Sequence, residues 1–216
     1  MTRKKENFCP WPMFESLCGK VYGLGRPELP AAARLMASAF SRDPSIRYLL
    51  GGTGAGSRDW EYFLCVLKAV YGKCLILSLD EEINSLLILF PPELKAVPTG
   101  SFLAGGGLGL FRSFGPELLL RSLNYERNCR AVKSRFATAH SWYCLCLAVS
   151  PQLQGRGFAS RLIRPALEVL EANRCSLYLE THRELNVSIY RHLGFELLDA
   201  SPIPGTNIVQ YSMMKG

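Results

Sequence analysis

The sequence lacks the features that would set it apart from an ordinary globular protein. Its 216 residues contain no run of about 20 consecutive apolar residues, so we expect no membrane-spanning segment. The N-terminus is charged and has no apolar core of the kind that secretory signal peptides carry. With 48% hydrophobic and 20% charged residues, the composition is typical of one domain with a sizeable core. These observations predict a cytoplasmic protein with no membrane partner.

Metal-binding motifs are also missing. There are eight cysteines but no Cys-x-x-Cys pair, and Cys144 and Cys146 have no histidine close by in the sequence. Most of the cysteines lie within apolar patterns, where a thiol behaves as a small buried hydrophobic group. We therefore expect reduced thiols, no disulfide framework and no metal site.

The excess of basic residues is mild and dispersed. Lysine and arginine number 25 and aspartate and glutamate 18, which gives a net charge of +7. Such an excess suits a polyanionic ligand. The only dense cluster, Arg3-Lys4-Lys5, lies in residues 1–18, which we predict to be a tail. Because no clustered patch or aromatic–basic motif occurs elsewhere, the sequence predicts no nucleic-acid partner.

Strand and helix patterns alternate along residues 19–216, which we predict to form a single domain. The predicted strands are Lys20–Leu24, Cys74–Leu79, Ile83–Phe90, Trp142–Val149, Cys175–Glu180 and Asn207–Met213. The predicted helices are Pro27–Phe40, Ser57–Tyr71, Pro116–Phe136, residues 159–170 and a later helix that carries Asn186 and Tyr190. The second and third strands form a hairpin, and the glycine-rich run Gly51–Gly56 is a loop without a ligand role.

The most informative stretch, residues 142–195, begins with a strand that is apolar on both faces. A short loop, Gln154–Ala159, follows it and leads into a helix with apolar residues at spacings of three and four. The first N–H groups of a helix lack intrahelical partners and favour an anion. Gly155 and Gly157 would let a phosphate approach the backbone because no Cβ stands in the way. Taken alone, this loop also fits a plain tight turn.

A second motif follows the next strand. Asn186 and Tyr190 are four residues apart, so on a helix they share one face, and Gly194–Phe195 comes directly after them. The two motifs occur in a fixed order, with a helix and a strand between them. Together they are much more specific than either one.

These motifs resemble the GNAT superfamily of N-acetyltransferases, which transfer an acetyl group from acetyl-CoA to an amine. Residues 154–159 match the family's pyrophosphate loop, Gln/Arg-x-x-Gly-x-Gly/Ala, and residues 186–195 match Asn-x-x-x-Tyr-x-x-x-Gly-Phe. The resemblance implies an α/β (α+β) fold, the GNAT acyl-CoA N-acyltransferase fold. Its central sheet is mixed, mostly antiparallel and twisted, and helices flank it. A helical insert, about residues 91–139, would separate the third and fourth strands.

The resemblance also implies how acetyl-CoA would bind. The pyrophosphate would lie on the backbone of the loop and the first helical turn, with help from the Arg156 or Arg161 side chain. The residues of this site are Gln154, Gly155, Arg156, Gly157, Phe158, Ala159 and Ser160. The pantetheine arm would pair with the strand edge at Leu147, Ala148 and Val149 and would touch Asn186. A backbone N–H near Leu147 or Ala148 would polarise the thioester carbonyl. These three residues also fit a core strand, and they can serve both purposes because one uses side chains and the other the main chain. Asn186 is also a good helix N-cap and can combine that role with contact to the pantetheine arm.

Two side chains are candidates for the catalytic proton transfers. Tyr190 is expected to protonate the leaving thiolate, since a phenol with a pKa of about 10 holds its proton at neutral pH. Glu180, at the end of a strand, is the candidate base that would take a proton from the amine, directly or through water. Each also fits a plain structural role, a core tyrosine and a strand-end carboxylate. His140 and His182 are weaker candidates for the base.

We therefore expect an N-acetyltransferase acting on a primary amine by direct attack in a ternary complex, with a small molecule favoured over a protein as the acceptor. The alternative is a catalytically inactive CoA-binding sensor or regulatory domain. The insert either shapes the acceptor site or covers hydrophobic surface, for instance at a homodimer contact. No motif identifies the acceptor, and we expect its pocket to be built from residues 20–50 and 90–140.

Overall fold

The computed structural model describes residues 11–52 and 58–216, in which seven strands form one sheet. The strands are β1 Tyr22–Gly23, β2 Leu75–Ser78, β3 Ser85–Phe90, β4 Ser141–Val149, β5 Ser176–Thr181, β6 Glu196–Pro202 and β7 Val209–Lys215. Their order across the sheet is β1-β2-β3-β4-β5-β7-β6. All neighbours pair antiparallel except β4 and β5, which run parallel. This mixed, mostly antiparallel sheet confirms the predicted fold class.

Helices cover both faces of the sheet. The α-helices are α1 Leu29–Ala39, α2 Pro44–Leu49, α3 Asp59–Val70, α4 Thr99–Phe102, α5 Leu108–Phe114, α6 Glu117–Phe136, α7 Phe158–Ala172 and α8 Glu184–His192. Short 3-10 helices occupy Pro12–Leu17, Arg26–Glu28 and Pro151–Leu153. Strand side chains alternate between the faces, so Leu75 and Leu77 pack towards α7 while Ile76 packs towards α1 and α3. Because both faces are buried, the strands read as continuous apolar runs.

The segment between β3 and β4 is helical, which confirms the predicted insert. It contains α4, a π-helical turn at Leu103–Gly107, α5 and the 20-residue helix α6. The glycines of the π-helical turn allow close packing, since a Cβ on Gly105 would lie 3.3 Å from the carbonyl oxygen of Cys65 in α3. Gly106 has a φ of 112°, which a glycine adopts without steric cost.

Three features differ from the expectations. Part of the predicted tail, Pro12–Leu17, packs into the core: Phe14 and Leu17 are fully buried, and the Phe14 ring lies 5.0 Å from the ring of Trp142. Strand β6 was not predicted, because it lies at the sheet edge and its burial pattern carries no apolar stripe. Helix α2 was also missed, although Asp43 caps it and Pro44 begins it. The cluster Arg3-Lys4-Lys5 and most of the loop Gly51–Gly56 fall outside the described residues.

Strands β4 and β5 diverge halfway along their length. They pair from Ser141 opposite Ser176 to Cys144 opposite Leu179, and the pairing stops there. At the same point β4 carries a bulge, because Ile88 pairs with Cys146 and Leu89 with Cys144 while Leu145 is passed over. The bulge sends Cys144 and Cys146 to opposite faces of the sheet. The result is an opening between the last residues of β4 and β5.

Candidate active site

The loop before α7 leaves backbone N–H groups open to a ligand. Gly155 and Gly157 have φ values of 76° and 79°, and a Cβ on either would meet no atom within 4 Å. Residues 154–157 are exposed to solvent. Among the described residues, none accepts a hydrogen bond from the N–H groups of Phe158, Ala159 or Ser160. These donors lie at the positive end of the α7 dipole, so the loop has the shape and polarity of a phosphate site.

Side chains brace this loop from both ends. The amide Nε2 of Gln154 donates a hydrogen bond of 3.1 Å to the carbonyl oxygen of Val149, which ties the loop to the end of β4. The guanidinium of Arg161 lies over the ring of Phe158, 5.4 Å from its centre. The loop therefore keeps its conformation through contacts that leave its main-chain donors free.

The end of β4 presents one open edge. Leu147 and Ala148 pair with Leu87 and Leu86 of β3 on one side, and they lie beyond the last β4–β5 pair on the other. The open edge faces the gap between β4 and β5. An extended, amide-rich chain could pair with this edge as a strand would.

A cavity of about 200 Å3 lies at the inner end of the opening. Its walls come from α1, α2, α3, α6, β3, β4, β5 and α8, and the predicted site residues that line it are Leu147, Glu180, Asn186 and Tyr190. Ala148, Val149 and the loop residues 154–160 do not line it. The structure therefore separates an open loop from a partly enclosed cavity, and β4 joins the two.

Glu180 is buried in the wall of this cavity. Its Oε2 accepts a hydrogen bond of 2.8 Å from the hydroxyl of Tyr143, while its Oε1 is buried without a hydrogen-bond partner among the described residues. Burial raises the pKa of Glu180 to about 7, even though the Tyr143 hydrogen bond and the charge of Lys133 both lower it. A carboxyl group that titrates near neutrality is suited to take up a proton at physiological pH.

Tyr190 lies on α8 and lines the same cavity. Its ring packs edge-on against Phe195 at 5.6 Å, and no described residue hydrogen-bonds its hydroxyl. Burial raises the pKa of Tyr190 well above that of a free phenol. The hydroxyl therefore stays protonated throughout the neutral range.

Asn186 does not cap the helix, so that interpretation of the sequence is wrong. Helix α8 begins at Glu184 and its N-cap position is Arg183. The Nδ2 of Asn186 instead donates a hydrogen bond of 2.9 Å to Oγ1 of Thr181, the last residue of β5. This bond holds the start of α8 against the strand that carries Glu180.

Several cavity residues escaped the sequence analysis because they come from separate segments. Tyr125, Cys129 and Lys133 lie one turn apart on α6, and Asp43 precedes α2. No spacing in the sequence shows that α6 crosses over β4. The α2 cap signal, Asp43-Pro44, is the one cue that was available.

The two histidines considered as bases differ in position. His182 lines the cavity, and its Nε2 lies 3.5 Å from the hydroxyl of Tyr125. Burial lowers the pKa of His182, while Asp43 acts in the opposite direction. His140 is exposed just before β4 and does not line the cavity.

Comparison with known proteins agrees with this arrangement. Residues 122–195 match the model of the acetyltransferase (GNAT) family, a range that includes α6, the divergent strands, the loop and α8. This part of the chain, about a third of its length, is therefore similar to GNAT-family acetyltransferases. A 56-residue segment is also 38% identical to an uncharacterised N-acetyltransferase of Schizosaccharomyces pombe. That segment is 26% of this chain, and it spans about a quarter (23%) of the yeast protein's length.

Solved GNAT structures share the fold along nearly the whole chain. A structure described as histone acetyltransferase HPA2 and related acetyltransferase, from Corynebacterium glutamicum, is 18% identical with a TM-score of 0.59 and covers 91% of this chain and 94% of its own. The polyamine N-acetyltransferase of Drosophila melanogaster is 16% identical with a TM-score of 0.53, over 90% of this chain and 98% of its own. An agmatine N-acetyltransferase is 13% identical with a TM-score of 0.55, over 91% and 99%. At these identities the likeness concerns the fold.

Residues 11–52 and 58–216 lack the features of two other classes of site. No helix in these ranges is long and apolar enough to cross a membrane. No group of three histidine, cysteine, aspartate or glutamate side chains there could hold a metal ion. The seven cysteines in these ranges are unpaired, and Cys9 falls outside them.

Proposed function

We propose that the protein is an N-acetyltransferase that moves the acetyl group of acetyl-CoA to a primary amine of a small molecule, by direct attack while both are bound. The observation that carries this proposal is the buried Glu180 carboxyl, with its free Oε1, in a cavity at the inner end of the β4–β5 opening. The GNAT family match supports the reaction class.

The residues around the loop and the β4 edge fit CoA. The pyrophosphate would accept hydrogen bonds from the free N–H groups of residues 157–160, where a side chain on Gly157 would intrude. The amides of the pantetheine arm would pair with the open edge of Leu147–Val149. When bound, acetyl-CoA supplies an acetyl group as a reactive thioester, and CoA leaves as a thiol.

Glu180 would act as the base. An alkylamine has a pKa of about 10 and is largely protonated at neutral pH, so it must lose a proton to become a nucleophile. The Oε1 of Glu180 is the oxygen left free to accept that proton. With a pKa of about 7, the carboxylate is the main form above neutrality. The rate with saturating amine should therefore rise with pH through about 7.

Tyr190 would act as the acid. Its hydroxyl lines the cavity without a hydrogen-bond partner among the described residues, and burial keeps it protonated. It can therefore donate its proton to the sulfur as the carbon–sulfur bond breaks. The amine nitrogen loses two protons in all: one goes to Glu180 before attack, and the second, lost after attack, replaces the proton that Tyr190 gives to the sulfur. Glu180 then releases its proton to solvent, which balances the reaction.

The cavity favours a small amine with an apolar body. Besides charged residues such as Asp43, Lys95 and Arg130, its walls carry many aromatic and aliphatic side chains, namely Met36, Phe40, Ile46, Leu49, Phe63, Val66, Phe90 and Val97. Two structural neighbours are described as N-acetyltransferases of agmatine and of polyamines, which are small amines. We therefore expect a small molecule to be the acceptor. The unpaired thiols agree with the reducing cytoplasm as its location.

A turnover assay with a panel of amines tests this proposal. Purified protein is mixed with acetyl-CoA and aryl, alkyl and polycationic primary amines, and acetylated product is measured by mass spectrometry. Product from at least one amine supports the proposal. CoA binding by calorimetry without product from any amine would favour the inactive sensor or regulatory domain. Absence of CoA binding would contradict both.

A further inference from the structure

The two carboxyl oxygens of Glu180 lie in different surroundings. Tyr143 donates its hydroxyl hydrogen bond to Oε2, while Oε1 is buried and has no partner among the described residues. Leaving a buried carboxylate oxygen unpaired costs free energy that a folded protein rarely bears without a functional reason. The asymmetry therefore marks Oε1 as the atom that meets the acceptor.

Tyr143 is itself held firmly. Its ring packs against Phe90 at 5.8 Å and Tyr178 at 6.1 Å, and the ammonium Nζ of Lys133 lies 4.2 Å above its centre. The same Nζ donates a hydrogen bond of 2.8 Å to the carbonyl oxygen of Lys95. Tyr143 belongs to the paired half of β4, opposite Tyr178 and just before the strands diverge. Its hydroxyl is thus fixed by a rigid part of the sheet.

We propose that Tyr143 is the positioning residue of the catalytic base: its hydroxyl holds Oε2 of Glu180 so that Oε1 faces the acceptor amine. This inference rests on the proposed function, because it assigns a partner to the base of that reaction. Tyr143 acts through Glu180 and transfers no proton of its own. Burial raises its pKa well above that of a free phenol, so it remains a donor at every pH of interest.

The hydrogen bond also sets the pH at which Glu180 ionises. The titratable groups that face Glu180 are Tyr143 on β4, Tyr178 on β5, and Tyr125, Glu126, Cys129 and Lys133 on α6. Burial is the largest influence and raises the pKa of Glu180, whereas the Tyr143 hydrogen bond, the charge of Lys133 and the nearby Tyr178 hydroxyl lower it. Removing the Tyr143 hydroxyl should therefore raise the pKa further and leave less carboxylate at neutral pH.

The test compares wild type with Tyr143→Phe by two methods. Glutamate labelled with 13C at the carboxyl reports the ionisation of Glu180 in the free protein, and its resonance is assigned by its loss in Glu180→Gln. We expect the midpoint to move up by about one to two pH units, since a hydrogen bond to a charged group is removed. The acidic limb of kcat should move in the same direction. At pH 9 Glu180 is ionised in both proteins, so the kcat of Tyr143→Phe should return close to that of wild type.

Tyr62→Phe is the matched control. Tyr62 is also a half-buried tyrosine of the cavity wall, but its ring packs against Phe63 and Phe102. Removal of the Tyr62 hydroxyl should leave the pH midpoint of Glu180 ionisation unchanged. An unchanged midpoint in Tyr143→Phe would overturn the inference, whether or not the protein turns over. Because the NMR titration needs no substrate, failure of every amine to react would count against the proposed function alone.

Discussion

The two ends of the β4–β5 opening offer different kinds of groups to a ligand. At the outer end, the loop before α7 is exposed to solvent and offers main-chain N–H groups to a ligand, while its two glycines leave the approach open. At the inner end, a partly enclosed cavity lined by residues of eight helices and strands brings Glu180, Tyr143 and Tyr190 together. The contrast teaches that cofactor binding and acceptor chemistry rest on separate structural features. Substitutions should therefore affect one and spare the other.

The largest expected effect is on the cofactor end. Gly157→Val should remove detectable CoA binding, because the new side chain would fill the open space where the pyrophosphate is expected and would strain a φ of 79°. Calorimetry with CoA measures this. Gly205→Val is the control, since Gly205 has a φ of 75° and equally open surroundings in the turn between β6 and β7. Equal CoA affinity in both variants would contradict the assignment of the pyrophosphate site to this loop.

Glu180→Gln should spare CoA and lower kcat/KM for the amine. We expect a loss of about 10²- to 10⁴-fold, the usual range for a general base, with CoA affinity unchanged. The fall in the rate as pH decreases through about 7 should disappear in this variant. In addition, the raised pKa means that ionising Glu180 costs the folded state stability, a loss that grows as pH rises from about 4.5 to about 7 and is complete above that. The thermal stability gained by the glutamine variant relative to wild type should thus be larger at pH 9 than at pH 5.

Tyr190→Phe should have a smaller effect on kcat. We expect a reduction of about 10- to 1000-fold with little change in CoA affinity, because the hydroxyl serves the leaving sulfur and makes no hydrogen bond to the described residues. Steady-state kinetics and calorimetry on the same preparation measure both quantities. An unchanged kcat would mean that solvent or another group protonates the thiolate.

The smallest effect should come from the acceptor wall. Val66→Ala widens the cavity and should shift the preference towards bulkier amines by about tenfold in kcat/KM, as expected for one or two methyl groups. Competition between two amines of different size measures the shift directly. Ala137→Gly, at the exit of α6 and outside the cavity, is a suitable control. The same preference in wild type and Val66→Ala would place the acceptor elsewhere.

The same contrast explains what the sequence could predict. The loop, the Asn186–Tyr190 motif and the order of the core elements are local patterns, and they led to the fold and to a loop that the structure leaves open. Main-chain binding needs glycines at fixed positions, and those are visible in the sequence as Gly155 and Gly157.

The cavity could be predicted only in outline. Glu180 was named from its place at a strand end, and the structure adds its burial and its two different oxygens. Tyr143 and Lys133 were missed because their contact depends on how α6 packs over β4, which no local pattern encodes. The packing of Phe14 and Leu17 was missed for the same reason, since their partner Trp142 is distant in the sequence.

A crystal structure with CoA bound is the most direct test of the central claim. The account predicts the pyrophosphate within hydrogen-bond distance of the N–H groups of residues 157–160, the pantetheine arm along Leu147–Val149, and the sulfur in the cavity beside Tyr190 and Glu180. A pyrophosphate bound elsewhere, or a sulfur that stays outside the cavity, would contradict it.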